Sequence, residues 1–229
     1  SVKERQTIWT EERQEIIQNN IKKYTWAKTQ ADDAVKAAEK YVGQENVLWN
    51  MVVAEGLPRF ARLTGRNDPA YRYCPYDGKT DVNNSYGLYG WVTDPLRQPW
   101  KVQCPHCKRR FPSNNFKSYY ESGLDEYGVF RPEIADGTLL VNELYPEKGA
   151  GWMVDDGFGY YTGETYENGY VTSPSRRNFI AYYLHSGLWY TNGGGGSMTL
   201  TDAINKLAAA YIYTGEAKYG RTGAILLDR

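Results

Sequence analysis

Two short Cys-Pro segments, 74–77 and 104–107, constrain the fold of this chain more than any other feature of its sequence. The first reads Cys-Pro-Tyr-Asp and the second reads Cys-Pro-His-Cys. A Cys-x-x-Cys turn places two thiolates on one tight knuckle, where both can face a single Zn²⁺. Two such turns, separated by residues 78–103, are the layout of a zinc ribbon or knuckle.

The two turns predict a zinc site with four ligands: Cys74, Asp77, Cys104 and Cys107. Asp stands where a fourth Cys would complete the pattern, and a carboxylate is also a zinc ligand. Two alternatives remain open at this stage. The Cys-x-x-Cys pair forms a disulfide and leaves Cys74 free and buried, or the site has lost its metal through Asp77. In most such knuckles a residue at the position of His106 points away from the metal.

The charge balance bears on the class of partner. Lys+Arg and Asp+Glu are both 27, so the formal net charge is zero. A zinc ribbon that grips nucleic acid normally needs a basic surface, so we expect no nucleic-acid partner. No apolar run approaches the length of a membrane span, and we expect no membrane partner. The 21 Tyr and 7 Trp residues suit stacking on sugar rings, and they equally suit a packed core.

The N-terminal part reads as helical. Thr10 is a plausible N-cap, followed by two acidic residues that suit the helix dipole, and this predicts a helix near 10–24. Apolar residues at helical spacing predict a second helix near 26–42, ended by Gly43. A short third helix is predicted near 47–52.

The middle of the chain, 64–173, is rich in Gly, Pro, Asn, Asp and Tyr and reads as loops and short strands. Residues 138–141 read as a strand after a turn. Residues 152–154 and 158–162 flank Asp155-Asp156-Gly157 and form a candidate hairpin. A long irregular segment needs a constraint to hold it in place, and a zinc site would supply one.

Helices return in the last part, near 176–190, 199–213 and 216–228, with a Thr199/Asp202 capping box at the start of the second. The stretch 193–197, Gly-Gly-Gly-Gly-Ser, reads as a natural loop between helices, with an engineered linker as the alternative. The last helix is still apolar as Arg229 approaches, so we expect a helical partner further along the polypeptide. The fold class is therefore mainly α, in three segments: 1–63 helical, 64–173 loop-rich with the knuckles, and 174–229 helical.

Several motifs, taken in order, resemble the N-terminal region of the heparinase II/III-like polysaccharide lyases. The resemblance extends over most of the chain from about Trp49 onward. Its carriers are the two Cys-Pro turns and, in sequence order, Leu57-Pro58-Arg59, Phe111-Pro112-Ser113-Asn114-Asn115-Phe116, Asp155-Asp156-Gly157, His185-Ser186-Gly187-Leu188-Trp189 and Ala209-Ala210-Tyr211-Ile212-Tyr213-Thr214-Gly215. The chain departs from the family pattern at Asp77, where a cysteine is more typical.

The resemblance implies the N-terminal part of an (α/α) toroid that continues beyond Arg229, followed by a β-sandwich. It also implies β-elimination of uronic-acid-containing polysaccharides, such as glycosaminoglycans or alginate, by a periplasmic or secreted enzyme. The partners are then an acidic polysaccharide and the rest of the same polypeptide.

Such a lyase needs a group that neutralises the uronate carboxylate, a base for the C5 proton and an acid at the glycosidic oxygen. In the family these lie after the first toroid hairpins, so we expect the catalytic residues downstream of Arg229 and an inactive isolated chain. His185, beside Trp189 and Tyr190, is the candidate wall of a sugar groove. A packing role for His185 is equally open. Two other classes remain as alternatives: a non-catalytic carbohydrate-binding module and a structural zinc-ribbon module.

Overall fold

The computed structural model describes residues 8–47, 49, 54–58, 73–77, 79–87, 90–158, 179–184 and 200–227. Contacts divide the chain into two units, which we call the helical unit (Ser1–Val52 with Leu200–Arg229) and the central unit (Val53–Thr199). This grouping joins the first and last segments of the sequence in one unit, whereas the sequence suggested three consecutive segments.

The elements follow in chain order. The helices are α1 (Glu11–Lys23), α2 (Thr25–Glu39), α3 (Val82–Tyr86), α4 (Phe116–Ser122), α5 (Phe179–Tyr182), α6 (Leu200–Thr214) and α7 (Ala217–Leu227). The strands are β1 (Val92–Thr93), β2 (Val102–Gln103) and β3 (Arg110–Phe111), and two 3₁₀ turns cover Gly137–Leu139 and Pro146–Lys148. The prediction of a mainly helical protein with few short strands is confirmed.

The helical unit begins as the sequence predicts. The Thr10 side chain accepts a hydrogen bond from the Arg13 N–H at 3.4 Å, which caps α1, and two acidic residues occupy its first turn. Helix α2 ends at Glu39, earlier than predicted, and Gly43 lies in the following turn with φ of +80°. Residues 45–47 are helical, and the rest of the predicted third helix falls largely outside the described residues.

Small residues hold the helices of this unit together. Helix α2 packs on α6, α6 packs on α7, and α1 packs on α2. The α2 contact face is built from alanines, which bring helices close at little cost in side-chain entropy. The buried residues are Ala27, Ala31 and Ala38 on α2, Ala203, Leu207 and Ala210 on α6, and Tyr219, Thr222 and Leu226 on α7.

Polar contacts join the two ends of the sequence within this unit. The Glu39 carboxylate accepts from Lys218 at 2.7 Å and from the Tyr219 hydroxyl at 2.5 Å. The hydrogen bond from Lys218 is the main reason that the pKa of Glu39 lies below its usual value. Thr222 donates to Glu45 at 2.8 Å, which adds a second link between the N-terminal helices and α7.

The central unit contains one small antiparallel sheet with strand order β1–β2–β3. Val92 pairs with Gln103, and Val102 pairs with Phe111, so β2 lies in the middle. Each strand is only two residues long. A sheet of this size supplies few backbone hydrogen bonds, so the unit must be held by other interactions.

Aromatic rings form the core of the central unit. Trp100 is 3% exposed and packs on Tyr120 and Phe116, with ring centroids 4.8 and 5.3 Å apart. A second group joins the sheet to α5, where Trp91 and Phe111 both contact Phe179. Many of the aromatic residues of this segment therefore pack the core and do not present rings to a sugar.

A buried polar junction links two of the sequence motifs, around Asn114 and Asp155. The two residues exchange hydrogen bonds: Asn114 Nδ2 donates to the Asp155 carbonyl at 3.0 Å, and the Asp155 N–H donates to Asn114 Oδ1 at 2.9 Å. The fully buried Asp155 carboxylate accepts backbone N–H groups from Gly157 at 2.8 Å, Phe179 at 2.7 Å and Ile180 at 3.3 Å. It thereby caps the start of α5.

Gly157 is required by this junction. Its φ is +91°, and a Cβ there would lie 2.5 Å from Leu57 Cδ2. Any side chain would meet both backbone strain and a steric clash.

Two strand predictions in this segment are wrong. Residues 138–141 form a 3₁₀ turn and an isolated bridge, because the Asp136 side chain accepts from the Thr138 N–H and winds the backbone into a turn. Residues 152–154 form no strand, and Asp155 turns inward to cap α5, so no hairpin forms on that side of the Asp-Asp-Gly motif. Residues 159–162 lie outside the described residues.

Other predictions also fall outside the described residues: the sugar-wall candidates His185, Trp189 and Tyr190, the 193–197 loop, and Thr199 of the capping box. The continuation of the helices into a toroid stays a prediction. Among the described helices, none combines the length and the apolarity that a bilayer crossing requires.

Asp155 generates a test of the buried junction. Burial raises the pKa of Asp155 to about 7, against the backbone N–H groups that favour its charged form. Since the folded-state pKa exceeds the unfolded value of about 4, stability present at low pH is lost as the pH rises from about 4 to about 7. Asp155→Asn removes this titration. We expect the unfolding free energy of the variant, relative to wild type, to increase over that pH range.

Urea unfolding, followed by near-ultraviolet circular dichroism at several pH values, measures the unfolding free energy of both proteins. The contributions of the other titrating groups cancel when the wild-type value is subtracted from that of Asp155→Asn. Asp136→Asn is the control, because the Asp136 carboxylate accepts from Thr138 in its own turn, at 3.0 Å from the N–H and 2.6 Å from the hydroxyl, outside the buried junction. Parallel pH profiles for wild type and Asp155→Asn would contradict the expectation.

Candidate metal centre

The first Cys-Pro turn sits between two paired backbone segments. Tyr73 and Asp81 form an antiparallel bridge, and the Cys74 N–H donates to the Thr80 carbonyl at 3.0 Å. Pro75 follows Cys74, where its fixed φ suits the start of a turn. The chain therefore reverses direction at 74–77 and presents the Cys74 sulfur on the inside of the turn.

The second Cys-Pro turn connects β2 to β3. The Cys104 N–H donates to the Arg109 carbonyl at 2.9 Å, and the Lys108 N–H donates to the Cys104 carbonyl at 3.0 Å. Lys108 adopts a positive φ of 61°, which lets the chain turn back into β3. The two turns thus have matching hydrogen-bond patterns, since each begins with a cysteine N–H that bonds across the turn.

The structure brings the sulfurs of the two turns together. The Sγ atoms of Cys74, Cys104 and Cys107 all lie within 4.8 Å of one another, and those of Cys74 and Cys107 are 3.5 Å apart. Cys74 and Cys104 are fully buried, and Cys107 is half-buried. All three are free thiols, so the alternative of a Cys-x-x-Cys disulfide with Cys74 apart does not describe this structure.

Backbone N–H groups surround these sulfurs. Those of Tyr76 and Asp77 bond to the Cys74 sulfur, and those of His106 and Cys107 bond to the Cys104 sulfur. Donors of this kind favour the thiolate over the thiol. The turns are therefore built to hold negatively charged sulfur.

Without a cation, the three thiols share protons unequally. A hydrogen bond from Cys74 lowers the pKa of Cys104 to about 6, and the same bond, together with burial, raises the pKa of Cys74. Burial raises the pKa of Cys107. One thiolate and two thiols is the pattern expected when three acids lie this close, because like charges repel in a buried site.

Asp77, the predicted fourth ligand, is not part of the sulfur cluster among the described residues. Its carboxylate accepts the N–H groups of Lys79 and Thr80, both at 2.9 Å, and the Thr80 hydroxyl at 2.6 Å. These bonds close the first turn, which is the ordinary local role of Asp at such a position. The hydrogen bonds from Thr80 and Lys79 also hold the pKa of Asp77 below its usual range, against burial, which raises it.

His106 lies at the surface and outside the cluster, in agreement with the expected direction of this knuckle position. Its Nδ1 is 3.3 Å from the Tyr86 hydroxyl, and its Nε2 is 3.9 Å from Asp77 Oδ2. A contact that the sequence did not predict also spans the turns: the Arg109 guanidinium lies 3.5 Å from the centre of the Tyr76 ring. Nothing in the spacing of these two residues signals that pairing.

Three sulfurs from two turns make a soft donor set. Thiolate ligands suit Zn²⁺, Cu⁺ and iron–sulfur clusters, whereas Mg²⁺ and Ca²⁺ prefer oxygen. The cluster can hold a metal ion, and the chemistry of the donors narrows the choice to thiophilic metals.

Comparison with known proteins finds no matching family model, no matching curated protein and no matching solved structure. The resemblance to heparinase II/III-like lyases therefore rests on the sequence motifs alone and stays a prediction.

The hydrogen bonds of Asp77 give a test of its role. Asp77→Asn keeps a side-chain acceptor for the turn but is a poor zinc ligand, whereas Asp77→Ala removes both functions. If Asp77 acts as a turn cap, we expect Asp77→Asn to retain zinc affinity within about threefold, and Asp77→Ala to destabilise the turn by about 1 kcal/mol.

Zinc competition with a chromophoric chelator measures the affinity of each variant. A large loss of affinity in Asp77→Asn, equal to that in Asp77→Ala, would assign Asp77 as the fourth ligand instead.

Proposed function

We propose that the central unit is a zinc-stabilised module in which Cys74, Cys104 and Cys107 bind one Zn²⁺. The observation that carries the proposal is the convergence of three cysteine sulfurs from two separate turns within 4.8 Å. Water occupies the fourth position, or the Asp77 carboxylate does so after leaving its turn. The arrangement is zinc-ribbon-like, since one knuckle lies on the β2–β3 hairpin and the other on a second bridged turn.

A structural role suits the site better than a catalytic one. Two of the three sulfurs are fully buried, which limits access for a substrate. The surrounding segment has two-residue strands and many turns, so few backbone hydrogen bonds hold it together. A metal ion bound by both Cys-Pro turns would supply a further link. Metal binding then contributes directly to the folding free energy of this unit.

The metal can be tested by removing one ligand. We expect wild type to bind about one zinc per chain and Cys104→Ser to lose more than about 100-fold in affinity, since even loss of a group that only hydrogen-bonds to a metal ligand costs about 10- to 100-fold. Replacement by Co²⁺ should give thiolate-to-metal charge-transfer absorption in wild type only. Hydrogen exchange should rise across 73–158 in Cys104→Ser before it rises in the helices of the helical unit.

His106→Ala is the matched control, because it alters the same turn without touching a sulfur. Unchanged zinc affinity in Cys104→Ser, or an equal loss in His106→Ala, would overturn the proposal.

As a second candidate function, we propose that this chain is the N-terminal portion of a polysaccharide lyase. The enzyme would cleave uronic-acid-containing polysaccharides by β-elimination, in the periplasm or outside the cell. The supporting observation is that two of the motifs behind the resemblance, at Asn114 and Asp155, meet in one buried junction. Because the two motifs contact each other, they form one structural feature, and their joint presence supports the resemblance more than either motif alone. His185, Trp189 and Tyr190 stay the proposed substrate contacts.

The lyase proposal predicts a specific product. The polypeptide that contains this chain should convert alginate, chondroitin, hyaluronan or heparin into unsaturated uronate, seen as growing absorbance in the ultraviolet. His185→Ala should lower kcat/KM if the imidazole lines the groove, because a misplaced sugar ring loses its alignment with the base. His106→Ala, the other histidine of the chain, is the control. Absence of unsaturated product from all four polymers would reject this function.

A further inference from the structure

The helical unit contains a groove that neither the metal proposal nor the lyase proposal uses. It lies between α1, α2 and α6 and has a volume of about 340 Å³. Its walls include Trp9, Ile17, Asn20, Trp26, Gln30 and Tyr213. Small-molecule sites in proteins are commonly clefts of about 300–1,000 Å³ with mostly apolar walls and a few polar groups. The volume of this groove and the residues of its walls both match that description.

Two indole rings at the groove are open to solvent. Trp9 is 42% exposed and Trp26 is 59% exposed, whereas Trp91 and Trp100 are almost fully buried. Tyr24 stacks against Trp26 with ring centroids 6.0 Å apart and an interplanar angle of 20°. The stack restricts the indole of Trp26, so a flat apolar surface is held in place beside the groove.

Polar groups at the groove are available for hydrogen bonds. The side-chain amides of Asn20 and Gln30, the phenol of Tyr213 and the indoles of Trp9 and Trp26 all line the groove. Each amide offers two donors and an acceptor with two lone pairs, and the phenol and indoles add further donors. Such groups can pair with the adjacent hydroxyls of a sugar.

The described residues that line the groove carry no charged side chain. Recognition of a carboxylate or sulfate normally uses Arg or Lys, so the lining does not match a uronate or a sulfated sugar. A neutral pyranose fits better, because its axial C–H bonds form an apolar face for an indole and its hydroxyls lie at the rim for the amides.

We infer that this groove binds an uncharged pyranose unit of an oligosaccharide, with Trp26 and Trp9 as the stacking platforms and Asn20 and Gln30 as hydrogen-bonding groups. The inference goes beyond the proposed lyase function, because a lining without charged side chains suits a neutral sugar and not the uronate that the lyase would cleave. It does not depend on the metal cluster.

Titration of the chain with cellohexaose, mannohexaose and xylohexaose tests the groove. We expect a change in tryptophan fluorescence and in indole N–H resonances on binding of at least one of them. Trp26→Ala should weaken that binding by about tenfold or more, as expected for a central aromatic contact. Trp26→Phe should weaken it less, since it keeps a ring. Gln30→Ala should also weaken it, whereas Tyr127→Ala, an exposed aromatic residue in the central unit, should not.

Circular dichroism establishes that each variant is folded. Lack of binding by all three oligosaccharides would overturn the inference, and so would binding that Trp26→Ala leaves unchanged. Tighter binding of a charged alginate hexasaccharide than of any neutral probe would also overturn it. A monomer–dimer equilibrium that Trp26→Ala abolishes, without sugar binding, would assign the groove to a second copy. Failure of the lyase proposal is separate, because it appears as absent unsaturated product whether or not neutral sugars bind.

Discussion

The contact among three cysteine sulfurs is the interaction on which the central unit most depends. Two turns far apart in sequence meet there, and the strands beside them are two residues long. Backbone N–H groups bond to the sulfurs of Cys74 and Cys104 and favour their thiolate forms, while the neighbouring Cys104 sulfur and burial raise the pKa of Cys74. Three thiolates this close repel one another strongly, and a divalent cation removes that repulsion. Under the proposed zinc binding, the metal affinity and the folding stability of this unit are coupled.

Elsewhere in the central unit, burial of aromatic rings replaces regular secondary structure. Trp100, Phe116 and Tyr120 form one group, and Trp91 and Phe179 belong to a second. Large flat rings bury much area per residue, so a chain of turns can still build a core. The Asp155 carboxylate then satisfies backbone N–H groups at the start of α5 that would otherwise be buried without partners. Its raised pKa is the cost of that arrangement.

Local signals predicted local structure well. The Thr10 cap and the apolar periodicity predicted α1, α2, α6 and α7 to within a few residues, because helix formation depends on neighbours in sequence. The Cys-Pro turns predicted the sulfur cluster, because cysteine spacing encodes it directly. The sequence did not predict the role of Asp155 or the contact between Arg109 and Tyr76, since both depend on partners that only the fold brings near. For Asp77 the residue type alone predicted a metal ligand, whereas the fold shows that its carboxylate closes its own turn by accepting the Thr80 N–H.

Aromatic content alone does not decide where a sugar binds. The sequence argument for a stacking surface counted the tyrosines and tryptophans of the whole chain, yet Trp91 and Trp100 are only 4% and 3% exposed. In the helical unit, Trp26 is 59% exposed and lines a groove together with the side-chain amides of Asn20 and Gln30. Burying an indole contributes free energy to folding, and leaving one in water forgoes that gain unless a ligand later covers the ring. By that reasoning, the exposed tryptophans of the helical unit are better candidates for the proposed glycan-binding surface than the more numerous rings of the central unit.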